Sequence, residues 1–179
     1  MTTAWYVTLA HLAERPGAVE LSQTTQQAGK PPARPAILDA LLRGEDTSTW
    51  PPTEVEVALA AVERIGEAVE KAQSLIDGFL RQRGHRLPLA VIPPVLAGWA
   101  LDITRYRLHA HRITDEQKDP IVRDYRDALK LLKDVAKGDY SLGIEDPLPA
   151  AGEAHTLPAL GAPSAWTPYG TSANEQRPF

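Results

Sequence analysis

The sequence has no cysteine and a single methionine, and aromatic residues make up 6% of its 179 residues. The lack of cysteine excludes a disulfide framework, and it also excludes a thiolate metal ligand or nucleophile. No segment approaches the roughly 20 apolar residues that a membrane-spanning helix needs, so we expect no membrane association. Residues 1–17 contain neither a basic segment nor a long apolar run, and we therefore expect no secretory signal peptide and a reducing compartment.

The sequence is also without a strong excess of charge of one sign. Its net charge is −4, and residues 53–137 hold 14 Lys and Arg against 13 Asp and Glu. From residue 138 onward Arg177 is the only cation, and it stands against five carboxylates. This balance gives no electrostatic footprint for nucleic acid over the chain as a whole.

Hydrophobic residues, chiefly Ala and Leu, make up 43% of the chain, which suffices for one core and favours packed helices. The predicted fold class is therefore all-α, with three main helices and short N-terminal ones. We assign residues 1–138 to a helical domain and residues 139–179 to an extended, proline-rich C-terminal arm. Within the domain, residues 25–52 hold five of the 16 prolines and are interpreted as a linker or insertion.

The strongest helical pattern covers Pro52–Arg83, with Thr53 as a cap and Gly84 at the C-terminal end. Apolar residues follow one another there at steps of three and four, and such a helix would be roughly 45 Å long. Gly66 lies on this stripe; it is either a point of close contact between subunits or a tolerated glycine.

Two further helices are predicted over about 94–113 and 115–137. Pro93 and Pro94 preset the start of the first one. The second has two possible starts, a capping box at Thr114 or an N-cap at Asp119 followed by Pro120. The predicted core of the three main helices consists of Val62, Ile65, Val69, Ile76, Phe79, Leu96, Trp99, Ile103, Tyr106, Tyr125, Leu129 and Leu132.

The N-terminal part is expected to form a helix over Thr8–Arg15, broken by Pro16-Gly17, and a second over Ala18–Thr24. Trp5 and Tyr6 would pack beside the first of them. Inside the linker, residues 35–43 have the pattern of one or two helical turns ending at Gly44.

Beyond Asp139 the periodicity vanishes and six prolines interrupt scattered apolar residues. Such a segment buries too little apolar area by itself to offset its ordering entropy, so we expect it to dock on a partner. Its expected contact residues are spaced along the arm: Leu148, Leu157, Leu160, Trp166, Tyr169, Arg177 and Phe179.

Catalytic and metal-binding patterns find little support, and we expect neither an enzyme nor a cofactor. His109 and His111 are two residues apart, which on a helix points them in different directions, and the common phosphate-binding and nucleophile motifs do not occur. Asp102 and Arg105 are interpreted as an i,i+3 surface pair. The basic residues between Arg105 and Arg112 are interpreted mainly as a solvated face that forms salt bridges.

The segment around these residues resembles a known family. Pro88-Leu89, Ile92-Pro93 and the run from Asp102 to Leu108 (Asp-Ile-Thr-Arg-Tyr-Arg-Leu) are similar to motifs of the small head–tail connector, or adaptor, proteins of Mu-like tailed phages. Thr104 stands where the family usually has Ala, and the similarity covers about residues 53–144.

The resemblance implies a structural protein of the virion neck, made in the host cytoplasm. It would form a ring, dodecameric like the portal, that binds the portal and other neck or tail-completion proteins and leaves a central channel for DNA. Two alternatives stay open: a small helical DNA-binding or regulatory module built on the Arg105–Arg112 face, and a tail-completion or stopper protein.

Overall fold

The computed structural model describes residues 5–144, and within that range the secondary structure is entirely helical. This confirms the all-α fold class. Six α-helices follow one another, with a π-helical turn (Ala13–Gly17) between the first two: α1 (Leu9–Leu12), α2 (Ala18–Thr24), α3 (Pro35–Arg43), α4 (Pro52–Arg83), α5 (Pro94–His109) and α6 (Pro120–Lys137).

Helix α4 is the longest element, with 32 residues, and measures about 48 Å at 1.5 Å per residue. Its bounds are the predicted ones, and Gly84 ends it in the left-handed region with φ of 93°. The predicted cap at Thr53 is wrong, because Pro51 occupies the N-cap position and makes no side-chain capping bond. Pro52 can open the helix because the first helical N–H has no partner within the helix anyway.

The core forms where α4, α5 and α6 pack against one another and α3 covers a further face of α4. On α4 the fully buried positions Ala58, Ile65, Ala72, Ile76 and Leu80 repeat at helical spacing. Small residues in this row let the neighbouring helices approach the α4 backbone closely. Leu59, which the sequence pattern places on the same stripe, is instead 50% exposed.

Helix α5 contributes Leu96, Trp99, Ala100 and Ile103 to the seam with α4 and α6. The Trp99 ring lies in a tilted contact with Tyr140, with 5.8 Å between ring centroids and 58° between planes. The helix ends at His109, earlier than the predicted residue 113, and residues 110–112 form a turn in which the Arg112 N–H donates to the His109 carbonyl at 2.8 Å.

Asp119, the second of the two predicted starts, is the N-cap of helix α6. The Asp119 side chain accepts a hydrogen bond from the backbone N–H of Ile121 at 2.8 Å, and Pro120 takes the first helical position. The alternative start at Thr114 is wrong, because residues 110–118 form turns rather than helix. Val122, Ala128, Leu132 and Val135 are its buried residues.

The N-terminal helices lie where the sequence predicts them. Thr8 caps α1 in a capping box with His11, and the kink before α2 falls at Arg15, next to Pro16. Tyr6 is buried, and its hydroxyl donates to Asp77 Oδ1 on α4 at 2.6 Å. Trp5, which is expected beside the same first helix, is 41% exposed.

Residues 25–52 are more than a linker, because α3 lies within them and belongs to the core. Ile37, Leu38 and Leu42 of this helix are buried in the same cluster as α4, and Gly44 ends it with φ of 75°. The Ser22 hydroxyl donates to the Ala33 carbonyl and so attaches the segment before α3 to α2. The prolines of this segment mark the ends of helices rather than an unpacked connection.

Candidate interaction surfaces

The carboxylate of Glu20 on α2 joins two residues of α5. Arg105 donates from Nε to Oε1 at 2.6 Å and from Nη2 to Oε2 at 2.9 Å, and His109 Nε2 lies 2.8 Å from Oε1. Arg105 and His109 are four residues apart and therefore share one face of the helix. Burial raises the pKa of Glu20, but the hydrogen bonds from Arg105 and His109 outweigh burial, so that the pKa lies below its ordinary value.

The predicted surface pair of Asp102 and Arg105 is therefore replaced by a contact between two helices. The Arg105 guanidinium binds Glu20, and Asp102 is left half-buried beside α6. Burial raises the pKa of the Asp102 carboxyl, and the nearby charge of Asp124 raises it further. Glu20 was not singled out in the sequence, because 85 residues separate it from Arg105 and no local spacing signals such a contact.

A groove of about 500 Å³ lies between the end of α2, the middle of α4 and the end of α5. Three cations line it, Arg64, Lys71 and Arg107, together with His111 and one carboxylate, Glu67. Glu67 forms an ion pair with Lys71 at 3.1 Å. The groove therefore carries an excess of positive charge, in contrast to the balanced charge of the helical domain as a whole.

Arg107 is the most notable residue of this groove, because its Nε atom is buried and has no hydrogen-bond partner among the described residues. Arg64 likewise forms no ion pair with any of the described residues 5–144. The apolar part of the lining comes from Ala68, Leu108 and Tyr106. This combination of free guanidinium groups and apolar side chains suits an acidic ligand that also carries an apolar group.

The groove continues along α4 toward its N-terminal end. A second cavity of about 250 Å³ shares Thr25, Gln26, Gln27 and Arg64 with the first. Beyond it, Pro31 and Val57 connect to a third cavity of about 380 Å³ that reaches Thr53. From Thr53 to Lys71 this surface is about 27 Å long at 1.5 Å per residue. We refer to the whole surface, between the 24–34 segment and α4, as the α4 groove.

A separate cavity of about 620 Å³ lies at the other end of α4. Gly84, His85, Arg86, Leu89, Ala90 and Val91 line it together with Ile144, the last described residue. Val91 is 69% exposed. The C-terminal segment therefore leaves the described domain beside the C-terminal end of α4, whereas the α4 groove lies at the middle and the N-terminal end of that helix.

The two aromatic residues of α5 pack between helices. Tyr106 stacks on Tyr125 of α6 with 3.9 Å between ring centroids and 5° between planes, and Trp99 is 6% exposed. One face of the Tyr106 ring is covered and the Trp99 ring is enclosed. Neither arrangement provides the open ring face on which a nucleic-acid base stacks.

The structure divides the predicted core residues into two groups by burial. Seven are buried: Ile65, Val69, Ile76, Leu96, Trp99, Ile103 and Leu132. The remaining five are partly buried: Val62, Phe79, Tyr106, Tyr125 and Leu129. The expected contact residues of the arm lie outside the described residues: Leu148, Leu157, Leu160, Trp166, Tyr169, Arg177 and Phe179.

No helix in the described part of the chain is both long enough and apolar enough to cross a bilayer.

Comparison with known proteins assigns the chain to a family. Residues 6–157 match the family described as Bacteriophage Mu, Gp36. The chain is also 39% identical over 83 residues to the Mu-like prophage FluMu protein gp36 of Haemophilus influenzae; this match covers 46% of the chain and 55% of that relative's length. Because the family match extends over most of the chain, the protein belongs to the Gp36 family of Mu-like phages.

Proposed function

We propose that this protein is a structural component of the virion, a head–tail connector that forms a ring on the portal in the neck of a tailed phage. The observation that carries the proposal is the family match over residues 6–157, which includes the helical domain and the beginning of the arm. The connector role itself comes from the resemblance of the Pro88–Leu108 segment to adaptor proteins of Mu-like phages. No catalytic step and no cofactor form part of the proposal.

Two features of the fold support an assembly role. Helix α4 extends for about 48 Å, and apolar side chains such as Leu59 and Val91 are exposed on the domain. Single exposed apolar side chains are common on protein surfaces, so these two are compatible with contacts to another protein but do not require them. In the proposed ring, which we expect to be dodecameric like the portal, they lie at contacts between subunits or with other neck and tail-completion proteins.

DNA passes through the centre of the proposed ring without being gripped. Tight duplex binding depends on phosphate contacts from many unpaired cations. Here Arg105 and His109 are occupied by Glu20, and the domain carries nearly equal numbers of positive and negative charges over residues 53–137. This distribution disfavours the alternative of a helical DNA-binding or regulatory module, and the all-helical structure disfavours a β-rich stopper protein.

We further propose that the C-terminal part of the arm, which contains Trp166, Tyr169 and Phe179, binds the portal. Its separated aromatic residues, Trp166, Tyr169 and Phe179, suit anchors on a partner surface, and aromatic residues are common hot spots at interfaces. In this proposal Arg177 pairs with a carboxylate of the partner. At about 3.3 Å per residue an extended arm of this length spans more than 100 Å, which is enough to reach beyond a neighbouring subunit.

The proposed connector role is tested by adding the purified full chain to phage heads that lack it. After sedimentation we expect the protein on heads that contain the portal, at a copy number equal to that of the portal subunits. Heads assembled without the portal serve as the matched control and should carry none. Equal binding to both kinds of head, or no binding to either, contradicts the connector role.

A further inference from the structure

We propose that the α4 groove binds the acidic start of the arm, residues 145–149, from a second copy of this chain. The inference deepens the proposed ring and rests on it, because it names the contact that links one subunit to the next. Within residues 5–144 the groove residues Arg64 and Arg107 form no ion pair, and the segment that follows Ile144 reads Glu-Asp-Pro-Leu-Pro.

The charges of the arm and the groove are complementary. Residues 145–179 contain Glu145, Asp146, Glu153 and Glu175 against the single cation Arg177. Five cations and three carboxylates line the α4 groove, and two of the carboxylates are already paired, Glu67 with Lys71 and Glu54 with Arg34. A carboxylate placed beside a partly buried guanidinium forms the short, charge-assisted hydrogen bonds that the buried Nε of Arg107 lacks.

The arm segment also carries an apolar side chain that matches the apolar lining of the groove. Leu148 follows the acidic pair after one intervening residue, Pro147, and the groove offers Ala68, Leu108 and Tyr106 beside its cations. Prolines 147 and 149 disfavour helical geometry in the residues before them, which suits a segment laid along a groove. The groove extends about 27 Å along α4, and at about 3.3 Å per residue it accommodates a strand of roughly eight residues.

The distance from Ile144 to the groove requires that the bound segment comes from a second copy. Ile144 shares a cavity with Gly84 at the C-terminal end of α4. Arg64 lies twenty positions earlier on that helix, which corresponds to about 30 Å. Asp146 is two residues beyond Ile144 and reaches only about 7 Å further. The acidic pair of one copy therefore cannot reach Arg64 of the same copy, whereas the groove of a neighbouring subunit has no such constraint.

Disulfide trapping tests the contact in the full chain, because the natural sequence has no cysteine that would interfere. One variant carries Gln27→Cys at an exposed position of the groove, and the other carries Ala150→Cys just after the acidic segment. Gln23→Cys is the matched control, since Gln23 is exposed on α2 and does not line the groove. Labelling one variant with ¹⁵N identifies the mixed dimer by mass.

We expect the mixed dimer of the Gln27→Cys and Ala150→Cys chains to form at least roughly tenfold faster than the Gln23→Cys control, because docking raises the local thiol concentration. Adding Arg64→Glu to the groove variant should abolish this excess. Adding Asp146→Arg to the arm variant should then restore it, which shows that the two charges act on each other rather than on folding.

Equal rates for the Gln27→Cys and Gln23→Cys mixtures would overturn the proposal. In a chain that carries both Gln27→Cys and Ala150→Cys, an internal disulfide without disulfide-linked dimers would show that the groove binds the chain's own arm. This result would also overturn the proposal. Loss of trapping on addition of duplex DNA would show that the DNA phosphates displace the arm from the α4 groove, and it would overturn the arm as the ligand of this groove. The mass of the assembly, measured under the same conditions, separates the two claims: rings without trapping refute only the arm contact, and trapping without rings refutes only the ring.

Discussion

Glu20 and Arg105 attach the N-terminal helices to the main three-helix core through a bidentate ion pair, with distances of 2.6 and 2.9 Å. The pair is partly shielded from water, because the two side chains are 26% and 30% exposed. It also determines how the basic face of α5 is used. Arg105 and His109 turn toward α2, and Arg107 is left to line the α4 groove.

Replacing Glu20 tests the energetic role of this pair. Glu20→Gln should lower the free energy of unfolding at neutral pH by about 1–2 kcal/mol, because hydrogen bonds to a charged acceptor in a partly shielded site are lost. Glu67→Gln is the matched control, since its exposed i,i+4 pair with Lys71 should contribute about 0.5 kcal/mol or less. Urea denaturation of both variants gives the comparison.

The same pair predicts a dependence on pH. The pKa of Glu20 is lower in the folded chain than its ordinary value of 4.5. Its contribution to stability is therefore present above pH 4.5 and is lost as the pH falls through the lower, folded value. The difference in stability between the wild type and Glu20→Gln should accordingly close in acid. A difference that is the same at neutral and acidic pH would show that the charge of Glu20 does not stabilise the fold.

The seam between α4 and α5 should dominate stability. Trp99→Ala should cost about 3–5 kcal/mol, because a large buried side chain is removed and its contact with Tyr140 is lost. Arg112→Ala lies on the exposed turn after the same helix and should change the free energy of unfolding by about 0.5 kcal/mol at most. Equal denaturation midpoints for the two variants would contradict the burial of Trp99.

Much of the helical layout could be predicted from the sequence, because helix ends carry local signals. Proline at the first helical position and glycine after the last one locate α4, and Asp119 with Pro120 locates α6. The Glu20–Arg105 pair and the packing of α3 depend on contacts between distant parts of the chain. No periodicity encodes such contacts, and the prolines around α3 suggested a linker where the structure has a buried helix.

The end of α6 provides a second test of close packing. Gly138 has φ of 91°, and a Cβ atom there would lie 2.5 Å from Nη1 of the buried Arg83. Gly138→Ala should therefore cost more than the roughly 1–2 kcal/mol that a left-handed alanine alone requires. Gly44→Ala is the matched control, because Gly44 ends α3 with φ of 75° in open space. If thermal unfolding shows equal losses for both, Arg83 moves aside without cost.

Truncation tests the role of the arm. A chain that ends after Gly143 should keep the helical domain, because all six helices lie before that residue. It should no longer attach to heads that contain the portal, since the truncation removes both the proposed portal anchors and the segment 145–149 that is proposed to link subunits. Circular dichroism checks the domain and sedimentation with heads checks attachment. Attachment of the truncated chain at the level of the full chain would assign the contact to the helical domain.

Electron cryo-microscopy of the phage particle that contains this protein shows whether the chain forms the connector ring. We expect a ring of helical subunits seated on the portal, with α4, α5 and α6 of each copy fitting the density around an open channel. The copy number of the ring should match that of the portal. Absence of this chain from the neck, or its presence only elsewhere in the particle, would contradict the account.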